Sequence, residues 1–387
     1  MKKILLINTK YREYGGEDSN FLEEAKFLSE NYEIKCLEFE NSNIGIFELF
    51  SFITKNNFNS NRALVKELNS FKPDYVYVHN TWFKASLGIF NILKKHKIPI
   101  ILKIHNFRFD CTKSFLSSRH LGSEEFCKKC GFEGKNKIFN KYFKESYLKS
   151  IFVILYGKKY IKILINFNLK ILALTNHQKI YLEKLGIDKK NITIHENPIV
   201  VKEDKNVMYN PKSNYVVYAG RISDQKGVRE LIEAWVKSDC SSLSLKIIGE
   251  GDLLSLLKKE FSELNIEFMG QLPNKKVLNL IMKSRAVVTA TKMFEGQPRL
   301  LCEASMHAVP SIFPSFGGMG EFYTNNYLFK FEQYNYNDLS KKFELLLNED
   351  VLKTTSEEIL SFIKVKLSKE RLLTNFDNIL EDINETQ

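Results

Sequence analysis

Two acids, Glu295 and Glu303, stand eight residues apart in Glu295-Gly296-Gln297-Pro298-Arg299-Leu300-Leu301-Cys302-Glu303, a segment that reads as a loop running into a helix. Pro298 suits the first helical position, where its missing N–H breaks no bond, and the apolar run from Leu300 to Met306 continues the helix. Glu295 then precedes the helix and Glu303 lies inside it. Unpaired N–H groups at such a start favour an anion or a sugar oxygen, and Gly296 lets a ligand come close to the main chain. The plainer reading makes Glu295 a solvated loop acid and places Arg299, Glu303 and His307, spaced four apart, on one exposed polar stripe.

Cations lie in the same half of the chain. The apolar run Tyr215 to Ala219 is followed by Gly220-Arg221-Ile222-Ser223 and Asp224-Gln225-Lys226-Gly227, then by an amphipathic helix over 228–236. Arg221 at the carboxyl end of a strand and Lys226 on the next loop can project into one crevice and neutralise a diphosphate. His79-Asn80 and His105-Asn106 each close an apolar run. An imidazole at a strand end can hydrogen-bond a sugar hydroxyl or move a proton, although a satisfied structural histidine is the default for either. Of the two, His105 is the candidate. Gly15-Gly16-Glu17 separates the first strand from a helix with apolar positions Phe21, Leu22, Ala25 and Leu28. Paired glycines there admit a phosphate or an acceptor, but they do not complete a dinucleotide fingerprint, and a plain turn is the alternative. Cys111, Cys127 and Cys130 include the two-residue spacing of a zinc knuckle; a structural zinc needs four ligands, His120 is the one nearby candidate for the fourth, and reduced thiols are the expectation.

The elements that must position these residues alternate short apolar runs with amphipathic stretches. Ile4 to Asn8, Tyr75 to His79, Ile100 to His105 and Ile171 to Leu174 show little polar alternation, as parallel strands covered on both faces require. The pattern restarts after a polar stretch near 197–212 with Tyr215 to Ala219, Leu245 to Ile248, Ile266 to Phe268 and Ala286 to Val288. A chain of 387 residues exceeds one core. The expected division is a first α/β domain over 1–198, a second over 199–366, and a segment 367–387 whose amphipathic helix, 370–383, packs back on the first. Ligands bind such folds at the carboxyl ends of the strands.

Composition removes several function classes. With 44% hydrophobic and 27% charged residues the chain is a folded protein of ordinary make-up. A net charge of +11 admits nucleic acid, an anionic membrane surface or phosphate-bearing small molecules, but the basic residues are dispersed and no nucleic-acid reader motif accompanies them. Six cysteines are too few for a secreted disulfide scaffold. The apolar run after Met1 is too short for a signal peptide, and no stretch is long enough to span a bilayer. The expected location is the cytoplasm. Between Lys141 and Lys170, seven lysines and one acid are interleaved with apolar residues, a pattern that fits either contact with anionic lipid headgroups or a helix with its apolar side in the core.

Taken in order, Gly15-Gly16, His105-Asn106-Phe107-Arg108, Gly220-Arg221-Ile222 with Lys226-Gly227, Gly249-Glu250-Gly251, Glu295 through Glu303, and Gly317-Gly318 with Glu321 resemble the retaining glycosyltransferases of the GT-B fold that carry an E-x7-E motif, family four. The resemblance covers nearly the whole chain. It implies an α/β GT-B fold, two Rossmann-like parallel-sheet domains facing each other across a cleft, with the acceptor held by the first domain and a nucleoside diphosphate sugar by the second. It further implies that Arg221 and Lys226 grip the diphosphate, Glu303 the ribose, Glu295 and His105 the donor sugar, and that the main chain from Gly296 through Gln297, Pro298 and Arg299 to Leu300 touches sugar or phosphate. The cysteine segment resembles an insertion in some members, which have a fourth cysteine that is missing here. Gln297-Pro298-Arg299 also depart from the commoner phenylalanine and glycine after the Glu-Gly pair. No Asp-x-Asp pair occurs to hold a divalent ion, so the expected transfer needs no metal and no cofactor, and the departing phosphate takes the acceptor's proton. The expected acceptor is a saccharide or a lipid-linked hydroxyl in surface polysaccharide or lipopolysaccharide assembly. A sugar-nucleotide epimerase of the same fold and a non-catalytic nucleotide-sugar-binding protein are the alternatives; a glycogen-type phosphorylase would be longer and carry a cofactor lysine.

Overall fold

The computed structural model describes residues 1–10, 16–41, 51, 53–107, 147–200 and 213–385. These form two compact units that divide at Pro198/Ile199, and the segment from Lys369 onward returns to the first. The first unit comprises β1 (Lys3–Lys10), α1 (Gly16–Leu28), β2 (Glu33–Glu40), α2 (Phe58–Phe71), β3 (Tyr75–Val78), α3 (Gly88–His96), β4 (Ile100–Ile104), α4 (Tyr147–Asn166), β5 (Lys170–Ala173), α5 (Asn176–Lys184) and β6 (Ile192–Ile194). Its sheet runs β2-β1-β3-β4-β5-β6, and every neighbouring pair is parallel. Strands β3 and β4 are buried at every position, because helices cover both faces of a parallel sheet. β2 lies at the edge, where its alternating charges keep the open ladder wet and discourage pairing with another chain.

Helix α1 turns a carboxylate inward. It buries Asp18, Asn20, Phe21, Glu24, Phe27 and Leu28, while Leu22 is 44% exposed. The helix is turned so that a carboxylate, not Leu22, enters the core, and Glu24 has partners waiting there: Tyr77 Oη donates to its Oε1 at 2.7 Å and Lys103 Nζ donates to both oxygens at 2.8 Å.

The second unit comprises β7 (Tyr215–Ala219), α6 (Val228–Lys237), β8 (Ser244–Ile248), α7 (Leu254–Glu260), β9 (Ile266–Gly270), α8 (Asn274–Lys283), β10 (Ala286–Val288), α9 (Arg299–Met306), β11 (Ser311–Pro314), β12 (Lys330–Phe331), α10 (Tyr336–Glu344) and α11 (Glu349–Lys366). Its parallel sheet runs β12-β11-β10-β7-β8-β9. Counted from β7, that is the 3-2-1-4-5-6 order of dinucleotide-binding sheets read from the other edge, and the order reverses between β7 and β10. Loops that leave those two neighbours in opposite directions open a crevice at their carboxyl ends.

The last helix, α12 (Lys369–Glu385), is amphipathic at helical spacing and sends Leu372, Phe376, Ile379, Leu380 and Ile383 into the first unit's core beside Ile4, Leu6, Tyr75 and Tyr77. Polar contacts set its register: Tyr75 Oη donates to Asn384 Oδ1 at 2.7 Å, Tyr32 Oη to Asp377, and Arg371 Nη2 pairs with the buried Glu196 at 2.7 Å. Among the described residues, no helix is long and apolar enough to cross a membrane. Helix α4 turns Tyr156, Ile161, Ile163 and Leu164 inward and leaves Lys159 and Lys162 exposed.

Candidate functional site

At the reversal point of the second sheet the loop after β7 carries Arg221, exposed, and Lys226, half-buried. The loop after β10 carries Glu295, half-buried, whose Oε1 accepts from Lys226 Nζ and, at 3.4 Å, from Thr291 Oγ1. A cation and a carboxylate that are 69 positions apart in the chain thus meet where the strand order reverses. The same carboxylate, with burial as the larger cause, raises the Tyr218 hydroxyl well above its ordinary range; that hydroxyl donates to the Arg221 carbonyl at 2.7 Å and so fixes the loop after β7. Lys292 is clamped between Asp224 at 2.9 Å and Glu230 at 2.5 Å; burial opposes its charge, and the two acids outweigh it and raise its pKa.

Glycines make these loops fit together. Gly227 has φ +63°, and a Cβ on it would lie 2.1 Å from the Ala290 carbonyl oxygen, so the turn into α6 packs backbone against backbone beside the end of β10. A Cβ on Gly251 would meet the Ile222 carbonyl oxygen at 2.1 Å, which is why the loop after β8 can lie on the loop that carries Arg221.

Helix α9 begins at Arg299, one residue later than the sequence suggests. Pro298 has ψ 84°, outside the helical region, while its carbonyl accepts from Cys302 N–H at 3.0 Å, so it precedes the first helical position rather than filling it. Among the described residues no side-chain cap is recorded at the start, and the N–H groups of the first turn have no acceptor within the helix. Gly296, Gln297 and Pro298 are buried and Leu300 is half-buried. Glu303 is only 5% exposed and accepts from Arg299 Nε at 2.8 Å. The exposed-stripe reading of Arg299, Glu303 and His307 is therefore overturned, because the spacing puts Glu303 against the body of the unit.

In the first unit the strand order reverses between β1 and β3, and their carboxyl ends hold the approach to α1 and His79. Gly16 opens α1 with open space around its Cα; Gly15 lies outside the described residues, as do Cys111, Cys127, Cys130 and His120. His79 Nδ1 and His105 Nε2 share a hydrogen bond of 3.0 Å, with rings stacked 5.2 Å apart, at the wall of a cavity of about 40 Å³ that Asn80, Trp82 and Asn106 also line. Asn106 Nδ2 donates to Glu17 Oε1 at 2.6 Å. Beneath the pair, Lys103 is fully buried with Glu24, and His195 Nε2 stands 3.7 Å from the same carboxylate.

Burial, then the neighbouring imidazole of His105 and the Lys103 ammonium, push His79 well below its ordinary value; burial and Lys103 bring His105 to about 3. Burial, then Lys103 and Arg371, also push His195 down, against the hydrogen bond with Asn375 that favours its charge. His105 thus offers a neutral hydrogen-bonding group rather than a base. Depressed imidazoles carry a definite sign: as pH falls below 6.5 the unfolded chain takes up protons that the folded chain refuses, so the stability they give is complete above 6.5 and is lost on acidification toward the folded values. His195→Asn is therefore expected to flatten the fall of stability between about pH 6.5 and pH 5 by up to one proton's worth, ~1.4 kcal/mol per pH unit. Thermal denaturation across that range reads the slope, and a slope equal to that of the parent would count against a neutral buried His195.

Glu24, Tyr77, Lys103, His195 and Glu196 escape a reading of the sequence. The signal available is Lys103 itself, a lysine inside an apolar strand that needs a buried partner.

Comparison with known proteins bears on the second unit first. Residues 201–359 match the family Glycosyl transferases group 1. This group 1 segment contains Arg221, Lys226, Glu295 and Glu303. The chain is 30% identical over 155 residues to the amylovoran biosynthesis glycosyltransferase AmsD of Erwinia amylovora, covering 37% of this chain and 42% of that protein. It is 28% identical over 222 residues to an uncharacterized glycosyltransferase of Methanocaldococcus jannaschii, covering 55% and 62%. The chain thus spans about two fifths to three fifths of these relatives' lengths. Beyond the group 1 segment, the crystal structure of Anabaena HepE in complex with UDP and glucose superposes with a TM-score of 0.69 over 98% of this chain and all of that one, at 12% identity. The fold is GT-B.

Proposed function

We propose that the chain moves a sugar from a nucleoside diphosphate sugar to a hydroxyl of a saccharide or lipid-linked acceptor, with retention at the anomeric carbon and without a divalent metal, in the assembly of a surface polysaccharide or lipopolysaccharide. The observation that carries this reading is the contact of Lys226 with Glu295 at the reversal point of a dinucleotide-type sheet, with Arg221 on the same loop as Lys226, within a segment that matches the group 1 glycosyltransferases. The names of AmsD and of the HepE complex favour polysaccharide assembly and a UDP-sugar. Arg221 and Lys226 take the diphosphate and supply the positive charge that a metal ion would bring. Leaving-group departure loads that phosphate with negative charge, and fixed cations with the first-turn N–H groups of α9 stabilise it without reorganising. Glu303 takes the ribose and Glu295 the donor sugar, where positive charge develops. Gly16 leaves the main chain open to a ligand, and His105 hydrogen-bonds a sugar hydroxyl as a neutral imidazole. With the phosphate accepting the acceptor's proton on the same face, no separate base is required.

A thermal-shift screen of UDP-, GDP- and ADP-sugars identifies the donor, because a ligand stabilises a fold according to its concentration over its dissociation constant. For Arg221→Ala with Lys226→Ala, nucleoside diphosphate binding measured by calorimetry is expected to weaken by about 100-fold or more, since charge-assisted hydrogen bonds contribute roughly 1.5–3 kcal/mol each. Unchanged affinity would remove both cations from the diphosphate site.

A further inference from the structure

We propose that Arg299 is a positioning residue for nucleotide recognition: its guanidinium holds the Glu303 carboxylate in the orientation that receives the ribose hydroxyls, and so takes part in telling a ribonucleotide from a deoxyribonucleotide. The inference rests on the reading of Glu303 as the ribose ligand. Arg299 Nε donates to Glu303 Oε1 at 2.8 Å, and the two side chains are 16% and 7% exposed, so the contact is largely buried.

Helix stability does not account for this pair. Arg299 is the first residue of α9, where the helix dipole is positive and a cation is disfavoured. The order within the pair, cation first and acid four residues later, is the less favourable one for an i, i+4 contact. A local rule broken at a buried position beside a candidate site marks a functional constraint. Burying Glu303 also requires that its charge be met by hydrogen bonds. A carboxylate has about four acceptor directions, and the N–H from Arg299 takes one of them and sets its plane. Leucine at position 299 would preserve the apolar contacts of the arginine stem and remove only that hold.

The test compares dissociation constants, by calorimetry, for whichever of UDP, GDP and ADP binds the parent chain and for its 2′-deoxy and 3′-deoxy forms, in the parent, Arg299→Leu and Arg299→Lys. The parent is expected to prefer the ribonucleotide at least ten-fold. In Arg299→Leu that ratio should fall towards one while inorganic pyrophosphate binds as before, which also certifies a folded site. Arg299→Lys keeps the charge without the planar Nε–H and should give an intermediate ratio; it serves as the reading if the leucine variant does not fold. Ratios equal to the parent's in these variants overturn the proposal, as does a parent that binds ribo- and deoxyribonucleotides alike. A parent that binds none of the three nucleotides overturns the proposed function with it, so the two failures are told apart.

Discussion

Glu295→Gln is expected to lower glycosyl transfer by about 100-fold or more while nucleoside diphosphate affinity moves by no more than a few-fold. The substitution is nearly isosteric, and an amide oxygen still accepts from Lys226 Nζ and Thr291 Oγ1, so the loop after β10 keeps its contacts. What it loses is the negative charge. As the bond to the diphosphate breaks, the sugar ring becomes electron-poor, and a carboxylate held beside it lowers the barrier by an amount the amide cannot supply. The ground-state nucleotide, gripped by Arg221, Lys226 and Glu303 in the proposed site, makes little use of that charge. Steady-state transfer with the donor found by thermal shift, set beside calorimetry with the bare nucleoside diphosphate, separates the two effects. Parallel losses in both would make Glu295 a binding residue, and undiminished turnover would exclude it from the chemistry.

Lys103→Met is expected to destabilise the first unit by about 3–5 kcal/mol, because it strands the Glu24 carboxylate in the core. Neither Lys103 nor Glu24 is exposed at all, and both carboxylate oxygens accept from the same ammonium, with Tyr77 a further donor to Oε1. Burial lowers the Lys103 pKa and the Glu24 charge opposes that loss, so the pair stands or falls together. Replacing both groups, Lys103→Met with Glu24→Leu, is expected to recover most of the loss, since well-packed apolar side chains commonly substitute for a buried ion pair without penalty. A double-mutant cycle from denaturant midpoints measures the coupling, and two losses that simply add would show that the groups do not act as a pair. The network matters beyond stability: the same lysine helps to hold His79 and His105 uncharged at the strand ends above it.

How far the sequence led can be followed strand by strand. β1, β3, β5, β7 and β10 announce themselves as apolar runs, because a strand covered on both faces cannot alternate, while β4, β8 and β9 show as runs interrupted by Lys103, Lys246 and Glu267. β2 hides because an edge strand mixes Lys and Glu with Cys, Leu and Phe, and β12 because a strand of two residues has no period. The turn of α1 is hidden for a related reason. Hydrophobicity selects Leu22 for the core, whereas the structure exposes it and buries Glu24, which a lysine 79 positions away and the Tyr77 hydroxyl make tolerable.

By itself, then, the chain determined local matters: which segments are strands, which residues follow each strand's carboxyl end, and that Glu295 and Glu303 flank a helix start. Those follow from steric and hydrophobic preferences that act over a few residues. Which loops become neighbours was decided only by tertiary structure. The reversal of strand order brings Lys226 to Glu295, parallel pairing of β3 with β4 brings His79 to His105, and the turn of α1 and α9 against their sheets chooses the carboxylates that are buried. Such pairings depend on where backbone hydrogen bonds and whole helix faces find partners, and no short-range rule carries that information.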